Sequence, residues 1–285
     1  MYSEPDPPTA ARMRKALAQA VDDFDAEPDT PGEFWGWNGR TLSRSVATSA
    51  YGPCWLRLAS APAEKAGGKL WDGPQDAEAL IPYSVPRPRL HQRQVWNEGP
   101  HGYLAELYQA VAAPTITTDS PVLQVAPPLD SSWWATLAGS LRTIATVPTQ
   151  RVAVRQEYLH RAMPEYLGTS IDSTVREWST AHGDLHWANL TGPELHILDW
   201  EGWGLAPAGY DAAMLHTYSL LVPATAAHVR EYLGHILATP AGRFAELVVI
   251  TELLQTISRG DNRALEAPID RRLAQLLQKD ATAGG

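Results

Sequence analysis

The chain has 285 residues, 44% of them apolar, and one cysteine, Cys54, which excludes a largely disordered polypeptide and an internal disulfide and leaves room for one large domain or two smaller ones. Its 23 basic and 32 acidic side chains give a formal charge of −9, which argues against nucleic acid as a partner, since that binding needs clustered Lys and Arg, and suits a cationic one better. The first 25 residues carry acids where a signal peptide needs an apolar core, and no apolar run reaches the roughly 18 residues of a membrane span, so a cytoplasmic protein with no membrane partner is expected.

In chain order, residues 1–8 are Pro-rich and read as disordered, after which Met13, Leu17, Val21 and Phe24 recur at helical spacing behind a cap at Thr9. Residues 1–29 are therefore taken as an N-terminal extension with one helix. From residue 31 the character changes. Trp37-Asn38-Gly39-Arg40 and Tyr51-Gly52-Pro53 read as turns, with strands at Arg44–Ser49 and Cys54–Leu58, part of a three-stranded antiparallel unit. Ala63–Gly73 reads as a loop and Gln75–Ile81 as a short helix. Val85–Trp96 reads as a strand that Pro86 and Pro88 push to a sheet edge, and Tyr103–Tyr108 as the strand after a turn.

Beyond Ala113-Pro114 the pattern turns helical. Trp133, Leu137, Leu141 and Ile144 share one face, and further helices are expected around Val229–Ile236, Phe244–Ile257 and Asp270–Leu277. The boundaries taken are 30–112, 113–280 and an Ala/Gly tail at 281–285.

The chemistry concentrates in His182-Gly183-Asp184-Leu185-His186-Trp187-Ala188-Asn189 and Leu195-His196-Ile197-Leu198-Asp199-Trp200-Glu201. The spacing of Asp184 and Asn189 lets a tight loop aim a carboxylate and an amide oxygen at one point. Leu195–Leu198 reads as a buried strand delivering Asp199 at its end. Phosphoryl transfer asks a protein to orient a hydroxyl with one carboxylate and to hold Mg²⁺ with hard oxygen donors. On that division Asp184 orients the hydroxyl, and Asn189 and Asp199 hold Mg²⁺. A zinc site from His182, His186 and His196 would need a continuous helix, which Gly183 and Thr191-Gly192-Pro193 oppose. Trp187 and Glu201 are candidate substrate contacts together with His186; core packing competes with that role for Trp187, and a solvated position for Glu201.

These segments resemble the aminoglycoside phosphotransferase and choline kinase family of the protein-kinase-like fold. His182, Gly183, Asp184 and Asn189 match its H-G-D-x-x-x-x-N pattern. Leu198, Asp199, Trp200 and Glu201 match its I-D-W-E pattern, and Pro207–Ala213 its proline-to-aspartate segment, in which Asp211 would brace the catalytic loop. His182 is read as bracing the same loop. The resemblance implies an α+β, two-lobed fold with a small strand-rich N-lobe covering the nucleotide and a larger helical C-lobe carrying catalysis and acceptor.

In the N-lobe such enzymes place a lysine on the third strand, paired with a helix glutamate. Here that strand offers Arg57, and Glu78 is the helix partner expected. The chain has four lysines, Lys15, Lys65, Lys69 and Lys279, against nineteen arginines. Gly39, in the turn Gly36–Gly39, is the candidate for a phosphate loop, and an ordinary Asn-Gly turn explains it as well. Backbone groups of Glu106, Leu107 and Tyr108 are expected against the purine. The function expected is a Mg²⁺-dependent small-molecule kinase moving the γ-phosphate of ATP or GTP to a hydroxyl of a small, amine-bearing acceptor. The alternative is a nucleotide-binding pseudokinase or interaction module without turnover.

Overall fold

The computed structural model describes residues 3–118, 120–169 and 171–283, in two compact units. The first comprises Met1–Leu80 and Arg87–Pro114, the second Ile81–Pro86 and Thr115–Gly285.

The first unit opens with α1 (Pro7–Asp23), capped by Asp6 rather than Thr9. The Asp6 side chain accepts from the Thr9 N–H at 3.0 Å. Pro7 and Pro8 fill the first turn, where a missing N–H costs nothing. Residues 3–8 are thus ordered, not disordered, with Glu4 paired to Arg14 at 2.8 Å; residues 1 and 2 of that expectation lie outside the described residues. The strands follow as β1 (Ala26–Pro28), β2 (Phe34–Trp35), β3 (Thr41–Thr48) and β4 (Gly52–Pro62), then α2 (Lys69–Leu80), β5 (Leu90–Glu98) and β6 (His101–Gln109). They form one antiparallel sheet in the order β1-β3-β4-β6-β5, with β2 also pairing β3.

Side chains alternate across this sheet. Leu42, Val46, Leu56, Leu58, Ala105 and Leu107 face α1 and bury Ala10, Met13, Ala16, Leu17 and Ala20 against them. Each fully buried Leu or Met there contributes about 1.5–3 kcal/mol. Residues on the opposite face include Arg57 and Glu106, direct partners across β4 and β6.

The sequence reading misplaced two starts in this unit. The strand expected from Val85 begins at Leu90, because Pro86 and Pro88 have no N–H for a ladder, although β5 is an edge strand as expected. The helix expected from Gln75 begins at Lys69 and carries Pro74 inside it, so part of the presumed loop is helical.

The second unit contains α3 (Ser131–Ala145), α4 (Gln156–Leu167), β7 (Trp178–Ala181), β8 (Gly204–Pro207), α5 (Tyr210–Tyr218), α6 (Pro223–Leu237), α7 (Pro240–Ser258) and α8 (Glu266–Ala283). Asp130 caps α3, accepting from Trp133 N–H at 2.8 Å. The sequence reading missed α4 and α5; every residue of α5 is buried, so no apolar stripe marks it. The segment 195–198 is not a strand. It is a coil held by the single bridge Leu190↔Ile197 and by Ile197 N–H donating to Pro86 O at 2.9 Å. The tail read at 281–285 is helical to Ala283, and residues 284 and 285 lie outside the described residues. Among the described residues no helix is long and apolar enough to cross a membrane.

Candidate active site

Strand β7 ends at Ala181 and delivers His182 into the loop, while its partner β8 runs through Ala208 and Gly209 into α5. That pairing brings Asp211, in the first turn of α5, against the loop backbone. Its Oδ2 accepts from His182 N–H at 2.7 Å and its Oδ1 from Gly183 N–H at 3.0 Å. Gly183 has φ +84°, and a Cβ there would lie 3.1 Å from Gly202 O, so the loop requires glycine at this point. Burial pushes the Asp211 carboxyl up, only partly opposed by His182 and the two N–H donors.

His182 is fully buried. Its Nε2–H donates to Leu198 O at 2.8 Å and its Nδ1 accepts from Asp184 N–H at 3.3 Å, an assignment that fixes the tautomer. It therefore ties the loop to the residue preceding Asp199.

Asp184 lies at the loop's tip with its side chain 49% exposed. Burial of the residue pushes its carboxyl up, but His186, His182 and Asn189 outweigh that and hold it below the ordinary aspartate range. At this exposure water screens those attractions, and the carboxylate remains open to a ligand. The Asn189 amide nitrogen donates to Asp184 O at 2.9 Å and reaches Oδ2 at 3.3 Å. With the nitrogen so engaged, the amide presents Oδ1 at its other end. Leu198 N–H donates to Asn189 O at 2.9 Å, linking this residue to the Asp199 segment.

Asp199 is exposed, takes φ +61°, and its carboxylate makes no hydrogen bond or ion pair with a described residue. An amide oxygen and a carboxylate with no competing partner are hard donors of the kind Mg²⁺ takes, completed by substrate oxygens and water. Among the described residues no three His, Cys, Asp or Glu side chains cluster as a metal site. The zinc geometry considered for His182, His186 and His196 is not built, since 187–189 form only one 3₁₀ turn.

The candidate substrate residues separate. His186 lies 3.4 Å from Asp184 Oδ2, with its ring edge-on to Tyr218 at 5.7 Å. Trp187 is fully buried. It stacks on Trp133 at 6.3 Å and donates to Ser219 Oγ at 3.1 Å, so it packs the loop from beneath and is no wall for a substrate. Glu201 is half-buried, and its carbonyl accepts from Arg151 at 3.1 Å.

In the first unit, Arg57 Nη1 donates to Glu106 Oε2 at 2.9 Å. The Glu78 carboxylate, expected opposite Arg57, receives Arg87 at 2.5 Å, Leu90 N–H at 3.2 Å and Arg89. Gly39 has φ +65°, and a Cβ on it would sit 2.7 Å from Pro5, while one on Gly36 would sit 1.9 Å from Thr41 Oγ1. Packing alone thus explains both glycines. Glu106, Leu107 and Tyr108 lie on β6, each in register with one residue of β4 and one of β5.

Sequence reasoning missed Arg151, Tyr210 and Tyr218. Arg151 donates to Trp203 O at 3.2 Å and Glu201 O at 3.1 Å and lies over the Trp203 ring. It thereby clamps the turn after Asp199, placed there by the parallel bridge Val152↔Leu205. No local motif announces it. Tyr210 donates to Glu252 Oε2 at 2.5 Å. Burial raises the Glu252 carboxyl to about 7, against the pull of Tyr210 and helped by the negative charge of Asp184. The one signal for Tyr210 was its place beside Asp211.

No protein-family profile and no curated protein matches the sequence. Solved structures do match. An aminoglycoside phosphotransferase, APH(4)-Ia, superposes with TM-score 0.63 at 12% identity, over 93% of this chain and 98% of that one. Spectinomycin phosphotransferase APH(9)-Ia, in complex with ADP and spectinomycin, gives 0.55 at 13% identity over 93% of each chain. Amicoumacin kinase hAmiN, with AMP-PNP and Ca²⁺, gives 0.53 at 11% identity over 96% of this chain and 95% of that one. With its strand-rich first unit, its helical second unit and its agreement with these structures over nearly their whole length, the chain has the protein-kinase-like fold.

Proposed function

We propose that the chain is a Mg²⁺-dependent phosphotransferase that moves the γ-phosphoryl group of ATP or GTP to a hydroxyl of a small, amine-bearing molecule. The observation that carries this reading is the braced loop, on which an exposed Asp184 carboxylate stands beside Asn189 and is linked through Leu198 to Asp199. Asp184, ionised at neutral pH, accepts the hydrogen bond of the acceptor hydroxyl and orients its oxygen for in-line attack. As the oxygen bonds to the γ-phosphorus, the bond from that phosphorus to the β–γ bridging oxygen breaks and ADP or GDP leaves, while the hydroxyl proton passes to the carboxylate or to solvent. Asn189 and Asp199 would hold Mg²⁺, which when bound supplies charge neutralisation on the phosphates. Asp211 and His182 keep the loop in register, and Arg57 neutralises phosphate charge. Residues 30–112 serve the nucleotide, with backbone around Glu106, Leu107 and Tyr108 on the purine side, and 113–280 serve catalysis and the acceptor.

Solved structures of the same fold carry ADP with spectinomycin, or AMP-PNP with hygromycin B, which supports a nucleotide and a small hydroxylated amine as the substrate pair. A second reading, a nucleotide-binding module without turnover, is favoured by the Gly36–Gly39 turn, whose glycines are accounted for by packing. The two part in a screen of Mg·ATP and Mg·GTP against aminoglycosides, choline-like amines, amino sugars and other hydroxylated metabolites. The expected result is a phosphorylated acceptor whose formation stops with EDTA. Tight nucleotide binding with no phosphorylated acceptor across the panel would favour the module.

A further inference from the structure

The phosphate-facing role given to Arg57 rests on the proposed phosphotransfer reading, and the structure shows what holds that side chain. Ser43, Arg57, Glu106 and Arg93 stand directly opposite one another on β3, β4, β6 and β5, and so share one face of the sheet. That face is the one turned away from α1. Glu106 is wholly buried at the centre of the row, while the Arg57 side chain keeps 21% of its surface exposed. Arg57 is therefore a partly exposed arginine bonded to a buried carboxylate. Both oxygens of Glu78 are meanwhile engaged by Arg87, Arg89 and Leu90 N–H.

A buried carboxylate is a poor device for stability, since its desolvation consumes most of what an ion pair returns. Glu106 illustrates the cost. Burial pushes its carboxyl up despite Arg57, Tyr108 and Arg93, and its Oε1 lacks a well-formed hydrogen bond. Replacing a lysine by an arginine creates a need that such an anchor meets. An ammonium is a point charge that donates in any direction, whereas a guanidinium must have its plane fixed before it can meet phosphate oxygens two at a time.

We propose that Glu106 is the positioning residue for Arg57, a side chain on the neighbouring interior strand β6 fixing the plane of the arginine that meets the nucleotide's phosphates. The strand itself thus supplies the orientation, and the phosphate grip is built across the sheet by β4 and β6.

The test is calorimetric titration of the full chain with Mg·ATP and Mg·GTP, and with adenosine and guanosine, in wild type, Arg57→Gln, Glu106→Gln and the double variant. For whichever nucleotide binds the wild type, Glu106→Gln is expected to weaken the triphosphate about 10-fold, as loss of one charge-assisted contact would. Nucleoside affinity should not change. The double variant should be no weaker than Arg57→Gln alone, because one residue acts through the other. Glu106→Asp, which keeps the charge and withdraws it by one methylene, should show the same selective loss if Glu106→Gln fails to fold. Unchanged triphosphate affinity, equal losses for triphosphate and nucleoside, or additive losses in the double variant would each overturn the assignment. A wild type that binds no nucleotide at all would instead remove the phosphotransfer reading on which it stands.

Discussion

At the scale of single residues, the site is a set of opposed carboxyls whose surroundings push them apart. Asp184 is held below the ordinary aspartate range by His186, His182 and Asn189, whereas Glu252, in reach of its charge and bonded to Tyr210, is raised to about 7. The two acids therefore differ in protonation near neutrality, a division that lets one accept a proton while the other carries one. For Glu252 the folded value lies above the ordinary 4.5. Its contribution to stability is complete below that value and is lost as pH rises through about 7. Glu252→Gln keeps an acceptor for Tyr210 and removes the titration. The variant should accordingly gain stability relative to wild type between pH 5 and pH 8, by up to roughly 3 kcal/mol. Urea midpoints measured across that range check it, and a difference that is flat with pH would contradict the shift.

At the scale of elements, α5, α7 and α8 are fastened by a buried triad. Glu246 on α7 takes two hydrogen bonds from Arg272 on α8, at 2.7 Å each, and one contact from His216 on α5 at 2.7 Å. Burial raises the Glu246 carboxyl, but Arg272 and His216 overcome this and set it at about 2. Glu246→Ala leaves a buried guanidinium unpaired and should cost about 3–5 kcal/mol. A denaturant titration at neutral pH tests it, and a loss under about 1 kcal/mol would show that the triad merely occupies space. Nothing in the sequence announced this pin, since Glu246 stands beside an apolar run and its partners lie 26 and 30 residues away in the chain. Elements with their own periodic signal were legible: α1, α3, α6, α7 and the β3–β4 pair. Those defined by tertiary contact were not. Tyr210–Tyr218 is buried on every side and shows no stripe, and Leu195–Leu198 looks like a strand but is held by one bridge. Likewise His182, Asp184 and Asp199 were readable because one loop and one turn carry them, while Arg151 reaches the site only through the Val152↔Leu205 bridge.

At the scale of the whole molecule, agreement with solved kinase-like structures extends over at least nine-tenths of the chain, although identity stays at 11–13% for the three phosphotransferases compared. The architecture has been kept while most side chains differ. That pattern is expected when a fold is specified by burial pattern and function by a few positions. Against the pattern the sequence resemblance implies, the first unit offers Arg57 on the strand expected to carry a lysine, and its Gly36–Gly39 turn is shaped by Pro5 and Thr41. The second unit carries the braced loop 182–189, and the central claim of the proposed function is that Asp184 serves phosphoryl transfer itself and not nucleotide binding. The measurement that meets this claim most directly is the Asp184→Ala variant, assayed for turnover and titrated with Mg-nucleotide in parallel. A fall in kcat of at least about 100-fold with nucleotide affinity unchanged is the predicted result; turnover equal to wild type would contradict it.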